Sequence, residues 1–162
     1  MNGAGLRMND ATDAGTAPKP AGTYQVARLV GDLVLTAGMT PRSDDGALLA
    51  RGRLGREISD EEGARLAGVA TERALEAARS ALPAGRELDE VVSLTVFVAA
   101  APEYAAHSRI ADAASSAIVS RLPHAALPVR AAVGVASLPG GAPVEVQLTA
   151  THRPAHPGHP AQ

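Results

Sequence analysis

The chain has 162 residues, the length of one domain, and its 46% of hydrophobic residues suffice for a core although only 2% of residues are aromatic. A formal net charge of −2 argues against nucleic acid or an acidic membrane as a partner. The absence of cysteine excludes disulfides and thiolate metal sites, and no apolar run has the length of a membrane span or the features of a signal peptide. We therefore expect a cytoplasmic protein.

The two ends of the chain have the composition of flexible segments. Residues 1–21 lack periodicity and are rich in Gly, Ala, Thr and Pro, and residues 152–162 are broken by prolines and a glycine. A single ordered domain is expected over residues 22–151. It begins with short strands at residues 25–29 and 33–36 that form a hairpin, and a weak edge strand is predicted over residues 47–54.

A first helix is predicted to begin after Ser59. Ser59 and Glu62 match the capping box, in which the two residues satisfy each other's backbone donors. Small and apolar residues then recur at intervals of three and four, and Pro83 ends the pattern near Leu82.

A second strand-and-helix pair follows the first helix. Residues 91–98 form a nearly continuous apolar run, which is typical of a central strand. Pro102 predicts the start of a second helix, because proline suits a first helical turn, and the helix should end before Pro123.

The stretch from residue 127 to residue 151 predicts two more strands, joined as a hairpin by the turn around Pro139 and Gly141. Alternation places the valines on a core face and both Arg130 and Glu145 on the opposite, polar face. Arg130 should then pair opposite residues 148–151, roughly 10–20 Å from Glu145 at ~3.3 Å per residue. This distance disfavours an ion pair and suits a ligand that spans the two, or a pocket that a neighbouring subunit closes.

The predicted order is β-β-(β)-α-β-α-β-β. Because strands come in runs and helices do not alternate with them one for one, we predict the α+β class, with a mixed sheet and two helices packed on one face.

Three side chains carry the candidate chemistry, and each has a structural alternative. Arg130 suits the binding of a carboxylate or phosphate, but an exposed strand arginine is common. Glu145 suits a general base for water, but it could be an exposed glutamate or a partner of Arg130. Tyr24 suits a pocket wall or hydroxyl donor, and a packing tyrosine is equally consistent with the sequence.

The histidines give a weak signal. His152, His156 and His159 have the spacing of metal ligands but lie in the proline-broken tail, so no metal site is expected. His107 and His124 have no obvious partner. The sequence has neither a nucleophile elbow nor a glycine-rich phosphate loop.

Taken together, these segments resemble the YjgF/RidA family, also called endoribonuclease L-PSP. The resemblance covers residues 24–151 and rests on residues 31–41, 88–98, 128–139 and 144–147. It implies a chorismate-mutase-like fold and a homotrimer, in which three sheets form a central barrel with the helices outside. It also implies a ligand cleft at each subunit interface.

The resemblance further implies a chemistry and a set of residues. Family members that deaminate hydrolyse a reactive enamine or imine to a 2-keto acid and ammonia, without a metal or an organic cofactor. By resemblance, Arg130 holds the substrate carboxylate, Glu145 positions or activates water, and the backbone amides of Gly38 and Ala132 help to bind the carboxylate. Tyr24 lines the cleft. An electrophilic imine should need only orientation and a base for water.

The sequence departs from the family pattern at polar pocket positions. Ala37 stands where studied members have serine, Ser108 lies near the position of an asparagine, and Ala132 often corresponds to a cysteine. The anchor and the base remain, so a small carboxylate-bearing substrate is expected. The alternatives are a non-catalytic trimer that binds small carboxylates, a divergent pathway enzyme that uses the same cleft and, less favoured by the acidic balance, a ribonuclease.

Overall fold

The computed structural model describes residues 17–155. Along the chain lie β1 (Ala27–Val30), β2 (Leu33–Thr36), α1 (Asp60–Ser80), β3 (Arg86–Ala99), α2 (His107–Arg121), β4 (Val129–Val135) and β5 (Val144–Pro154). The five strands form one mixed sheet in the order β1-β2-β5-β3-β4. Helices α1 and α2 pack on each other and on one face of this sheet, so the predicted α+β fold is confirmed.

Strand β3 is an interior strand, as its apolar run predicts, but it is fourth in the order and β5 is the central strand. It is longer than the predicted residues 91–98. It pairs antiparallel with β5 on one side and parallel with β4 on the other. Leu94, Val96 and Val98 point towards the helices and are almost completely buried. Every second side chain of a strand points to the same face, and paired residues of adjacent strands share a face. The register with β3 therefore determines which side chains of β4 and β5 point towards the helices.

The predicted hairpin of β4 and β5 is wrong. The two strands do not pair with each other, because β3 lies between them. Helix α2 provides the long crossover that a parallel pair of strands requires, and it connects β3 to β4 as a βαβ unit. Arg130 and Leu148 nevertheless lie at the same level of the sheet, as predicted, because Leu94 of β3 pairs with both of them.

The predicted facing of β4 is also wrong. Val129 is 72% exposed and Val133 is 38% exposed, because both lie on the sheet face opposite the helices, called the open face below. Arg130 instead points towards α2, whose side chains it contacts. In β5 the prediction holds, since Val144 and Val146 are buried beneath the helices and Glu145 lies on the open face.

Local boundaries differ at three further places. Residues 47–54 form only isolated bridges, among them the one between Leu54 and Ala100, and no edge strand. Helix α2 begins at His107, because residues 102 and 103 form a turn and residues 104–106 have no regular secondary structure. Strand β5 continues to Pro154, past the domain boundary predicted at residue 151. The predicted flexible leader lies mostly outside the described residues, and so does the end of the tail.

Helix α1 begins as predicted, with one difference. The Ser59 side chain accepts a hydrogen bond of 3.2 Å from the backbone N–H of Glu62. The Glu62 carboxylate does not complete the capping box, because it forms two hydrogen bonds with Arg65 instead. One orphan donor of the helix is thus satisfied by a side chain.

We predict that Ser59→Ala lowers the free energy of unfolding by about 1 kcal/mol, because the backbone N–H of Glu62 loses its acceptor. Urea unfolding at one fixed protein concentration measures the change. Ser120→Ala is the matched control: this exposed helical serine bonds only to the carbonyl of Ser116, so its loss should be close to neutral. Equal effects of the two substitutions would contradict the capping role.

Candidate functional site

The Glu145 side chain lies directly over Gly38. The loop after β2 runs beside the start of β5, where Met39 and Val146 exchange two backbone hydrogen bonds of 2.8 and 2.9 Å. A Cβ atom on Gly38 would lie 2.5 Å from Cδ and 2.9 Å from Cγ of Glu145. Only glycine therefore leaves room for the carboxylate in this position.

A cavity of about 90 Å³ opens beside this carboxylate. Three of the predicted site residues line it together: Tyr24, Gly38 and Glu145. The remaining lining residues come from the segment before β1, the loop after β2, helix α1 and the turn before β5, namely Pro18, Lys19, Ala21, Val26, Met39, Thr40, Arg42, Arg73 and Pro139. Complete small-molecule sites usually measure roughly 300–1,000 Å³, so this cavity has the size of part of a site.

Burial raises the pKa of Glu145 above its usual value, and neither a charged neighbour nor a hydrogen bond contributes to that shift. The carboxylate is half-buried, so its ionised form loses solvation without gaining a partner from the described part of the chain. A carboxylate with a raised pKa is a stronger base when ionised. Perturbed carboxylates of this kind are concentrated at functional sites.

Arg130 lies in a different environment. Its Nη1 donates hydrogen bonds to Oδ1 of Asp112 at 2.8 Å and to Oγ of Ser115 at 3.0 Å, both on α2. The Arg130 side chain is 24% exposed, whereas that of Asp112 is 69% exposed. The ion pair therefore orients the guanidinium with one nitrogen and leaves Nη2 and Nε for another acceptor.

Within one chain the two candidate catalytic residues do not meet. Arg130 pairs with Leu94 and Glu145 pairs with Phe97, which lie three positions apart on β3 and so on opposite faces. Two strand spacings of about 4.8 Å and three residues of about 3.3 Å separate their backbones by roughly 14 Å. Ala132 lies on the same face as Arg130. The five predicted site residues therefore form two groups: Tyr24, Gly38 and Glu145 around the cavity, and Arg130 and Ala132 on β4.

Sequence reasoning missed four residues that lie beside these two groups. Arg42 and Arg73 line the cavity, and Asp112 and Ser115 bind Arg130. The spacing of Asp112 and Ser115, three positions apart on one helix face, was an available signal once α2 was recognised as the crossover onto β4. Ser108, the position compared with the family asparagine, is exposed near the start of α2.

The histidines lie away from Glu145. The His107 ring packs above Gly134, and His124 contacts the backbone carbonyl of Asp89 at 3.0 Å. Both ring nitrogens of His152 are buried without a hydrogen-bond partner. Among residues 17–155 no three His, Asp or Glu side chains are grouped as metal ligands, and His156 and His159 lie outside this range.

No helix in the same range is long and apolar enough to cross a membrane.

The family model for endoribonuclease L-PSP matches residues 14–152. The chain belongs to this family. Protein TCP17 of Trypanosoma cruzi is 33% identical over 131 residues, which are 80% of this chain and 81% of that protein. Among solved structures, the chain is similar to Atu1372 of Agrobacterium tumefaciens, a protein of unknown function. The two are 29% identical with a TM-score of 0.74, and the match covers 82% of this chain and 84% of the Atu1372 chain. TdcF of E. coli, solved with bound serine, has the same fold at 22% identity and a TM-score of 0.60, over 83% and 92%.

We predict that Glu145→Gln raises thermal stability at neutral pH. A carboxyl group whose folded pKa is raised favours folding while it is protonated, so its contribution is lost as pH rises through the folded pKa. The melting temperatures of the two proteins should converge below the unfolded pKa of about 4.3 and diverge above it, with the variant more stable. Glu103→Gln, at an exposed position, is the control, and a pH-independent difference would contradict the prediction.

Proposed function

We propose that the protein hydrolyses reactive enamines or imines of amino acids to 2-keto acids and ammonia, in a cleft that two subunits of a homotrimer share. Glu145, Gly38 and Tyr24 come from one subunit, and Arg130 and Ala132 come from its neighbour. The observation that carries the proposal is the half-buried Glu145 carboxylate, which is held over Gly38 and has no partner among residues 17–155. The loss of polar groups at Ala37 and Ala132 leaves the anchor and the base in place.

The open face of the sheet supports an assembly of several copies. Leu33, Leu35, Val129 and Val133 are exposed there, and β4 is an edge strand with one side unpaired among the described strands. Exposed apolar side chains beside a free strand edge favour association with another chain. In a closed ring of copies, one face of each subunit meets a different face of the next, which could bring Arg130 of one subunit to Glu145 of another.

The reaction needs little from the protein beyond orientation and a base. The Arg130 guanidinium binds the substrate carboxylate through Nη2 and Nε, which fixes the imine carbon beside Glu145. The Glu145 carboxylate takes a proton from water as the oxygen attacks that carbon. With the imine nitrogen protonated, this addition gives the carbinolamine. The Glu145 carboxyl group returns its proton to the amino nitrogen, and the Glu145 carboxylate takes the hydroxyl proton as the C–N bond breaks and the C=O bond forms. Ammonia leaves, the 2-keto acid remains, and Glu145 releases its proton to solvent. The serine bound by TdcF indicates that the fold can hold a small carboxylate-bearing molecule.

A second candidate is the binding of small carboxylates without turnover. The serine held by TdcF also agrees with this function. The ribonuclease activity in the family's name is a weaker candidate, because the chain has a net charge of −2 and phosphate binding needs a positive surface.

Turnover is tested with imines that an amino-acid oxidase generates from alanine or 2-aminobutanoate, with ammonia and keto-acid release measured above the uncatalysed rate. We predict that Glu145→Gln lowers kcat by about 10²–10⁴-fold, the usual contribution of a general base.

Gly38→Ala should displace the carboxylate and lower kcat as well, whereas Gly68→Ala, whose Cβ meets nothing within 4 Å, is the control. Full activity of Arg130→Ala would refute its role, and keto-acid binding without turnover would favour the second candidate.

The shared cleft makes a separate prediction. Arg130→Ala and Glu145→Gln subunits should each form inactive trimers, but trimers mixed from equal amounts of both should recover about a quarter of the wild-type activity, since each site takes one residue from each neighbour. Activity after unfolding and refolding of the mixture measures this recovery. A site contained within one subunit would give none, and analytical ultracentrifugation of the wild-type protein checks for the trimer.

A further inference from the structure

The cavity beside Glu145 carries more positive charge than a substrate with one carboxylate requires. Lys19, Arg42 and Arg73 line it, and Glu145 is the one carboxylate in its lining among the described residues. Within residues 17–155, none of these three cations forms an ion pair within 4.0 Å. No salt bridge among the described residues therefore neutralises the three cations directly.

Neutral acceptors hold the two arginines in place. Arg42 donates from Nε to Oγ1 of Thr40 at 3.1 Å and from Nη1 to the carbonyl of Gly46 at 2.8 Å. Arg73 reaches across from α1 and makes a long contact of 3.5 Å from Nη1 to the carbonyl of Arg42. Both residues are half-buried. Positioned guanidinium groups that keep their charge are suited to binding a planar anion.

None of these cations forms an ion pair with Glu145 within 4.0 Å. A nearby positive charge would lower the pKa of this carboxyl group, but its pKa is raised and burial is the only cause. Glu76 lies one turn along α1 from Arg73 and interacts with it electrostatically, but it is not part of the cavity lining. The base and the arginines therefore act on different parts of whatever occupies the cavity.

We infer that Arg42 and Arg73 bind a second anionic group of the substrate, so that the preferred substrate class is the imine of a dicarboxylic amino acid. This inference rests on the proposed function. The carboxylate next to the imine carbon binds Arg130 of the adjacent subunit, the imine carbon lies beside Glu145, and the distal carboxylate lies between Arg42 and Arg73. A small dianion fits the limited volume of the cavity better than an RNA strand does.

The test compares imines generated from glutamate and from 2-aminobutanoate, with kcat/KM measured for each. The wild-type protein should prefer the diacid, and Arg73→Met should reduce this preference by about ten- to a hundredfold, the effect of one charge-assisted hydrogen bond. Arg42→Met should act in the same direction. Arg65→Met, on the exposed side of the same helix in a surface pair with Glu62, should leave both values unchanged.

A conservative variant and a binding measurement make the result decisive. Arg73→Lys keeps the charge and should retain part of the preference even if Arg73→Met folds poorly. Calorimetry with 2-oxoglutarate and 2-oxobutanoate measures binding without turnover. Tighter binding of the diacid that depends on Arg73 would support the anion site even if no imine is hydrolysed, in which case only the proposed reaction fails.

Two outcomes would overturn the inference. Equal kcat/KM values for the two imines, both abolished by Glu145→Gln, would leave the proposed reaction standing and remove the second anion site. Displacement of 2-oxoglutarate by a single-stranded RNA oligonucleotide, with a steep dependence on salt, would assign the arginines to phosphate contacts instead.

Discussion

The position of β3 between β4 and β5 is the constraint on which the rest of the structure depends. Each neighbour takes its facing from the β3 residue beside it, so Arg130 shares the face of Leu94 and Glu145 shares the face of Phe97. A slip of either strand by one residue would bring the two side chains to one face, but it would also turn the buried row of that strand towards solvent. The core therefore holds the two candidate residues on opposite faces within a chain, and in the proposed cleft another copy brings them together.

In the proposed function, the requirements of stability and of chemistry conflict at Glu145. The carboxylate packs over Gly38, half-buried and without a partner in the described part of the chain. This burial disfavours its ionised form and so opposes folding at neutral pH. The surrounding backbone tolerates this, because Met39 and Val146 are joined by two hydrogen bonds beside it. A glutamine would remove the conflict at little steric cost, so a site that keeps the carboxylate is more easily explained by chemistry than by packing.

Local signals predicted what depends on local sequence. The β1–β2 hairpin, the Ser59 cap and the apolar run of β3 each depend on residues close together in the chain, and the structure has all three. The pairing of β4 depends on which distant strand it meets, and adjacency in sequence wrongly favoured β5. The valines of β4 were assigned to a core because alternation alone cannot distinguish a face buried within one chain from one left for another copy. The arginines of the cavity gave no pattern at all, since they come from a loop and a helix that meet only in the fold.

The cavity holds the Glu145 carboxylate and two arginines without an ion pair between them among the described residues. If Arg42 or Arg73 contacted Glu145, the pair would neutralise itself, and the carboxylate would be a weaker base with a lowered pKa. Instead the guanidinium groups are held by Thr40, Gly46 and a backbone carbonyl, and the carboxylate by the space above Gly38. An anion bound between the arginines would compensate their charge without touching the base. Because different neighbours hold the carboxylate and the guanidinium groups, the proposed base and the proposed anion site would not neutralise each other.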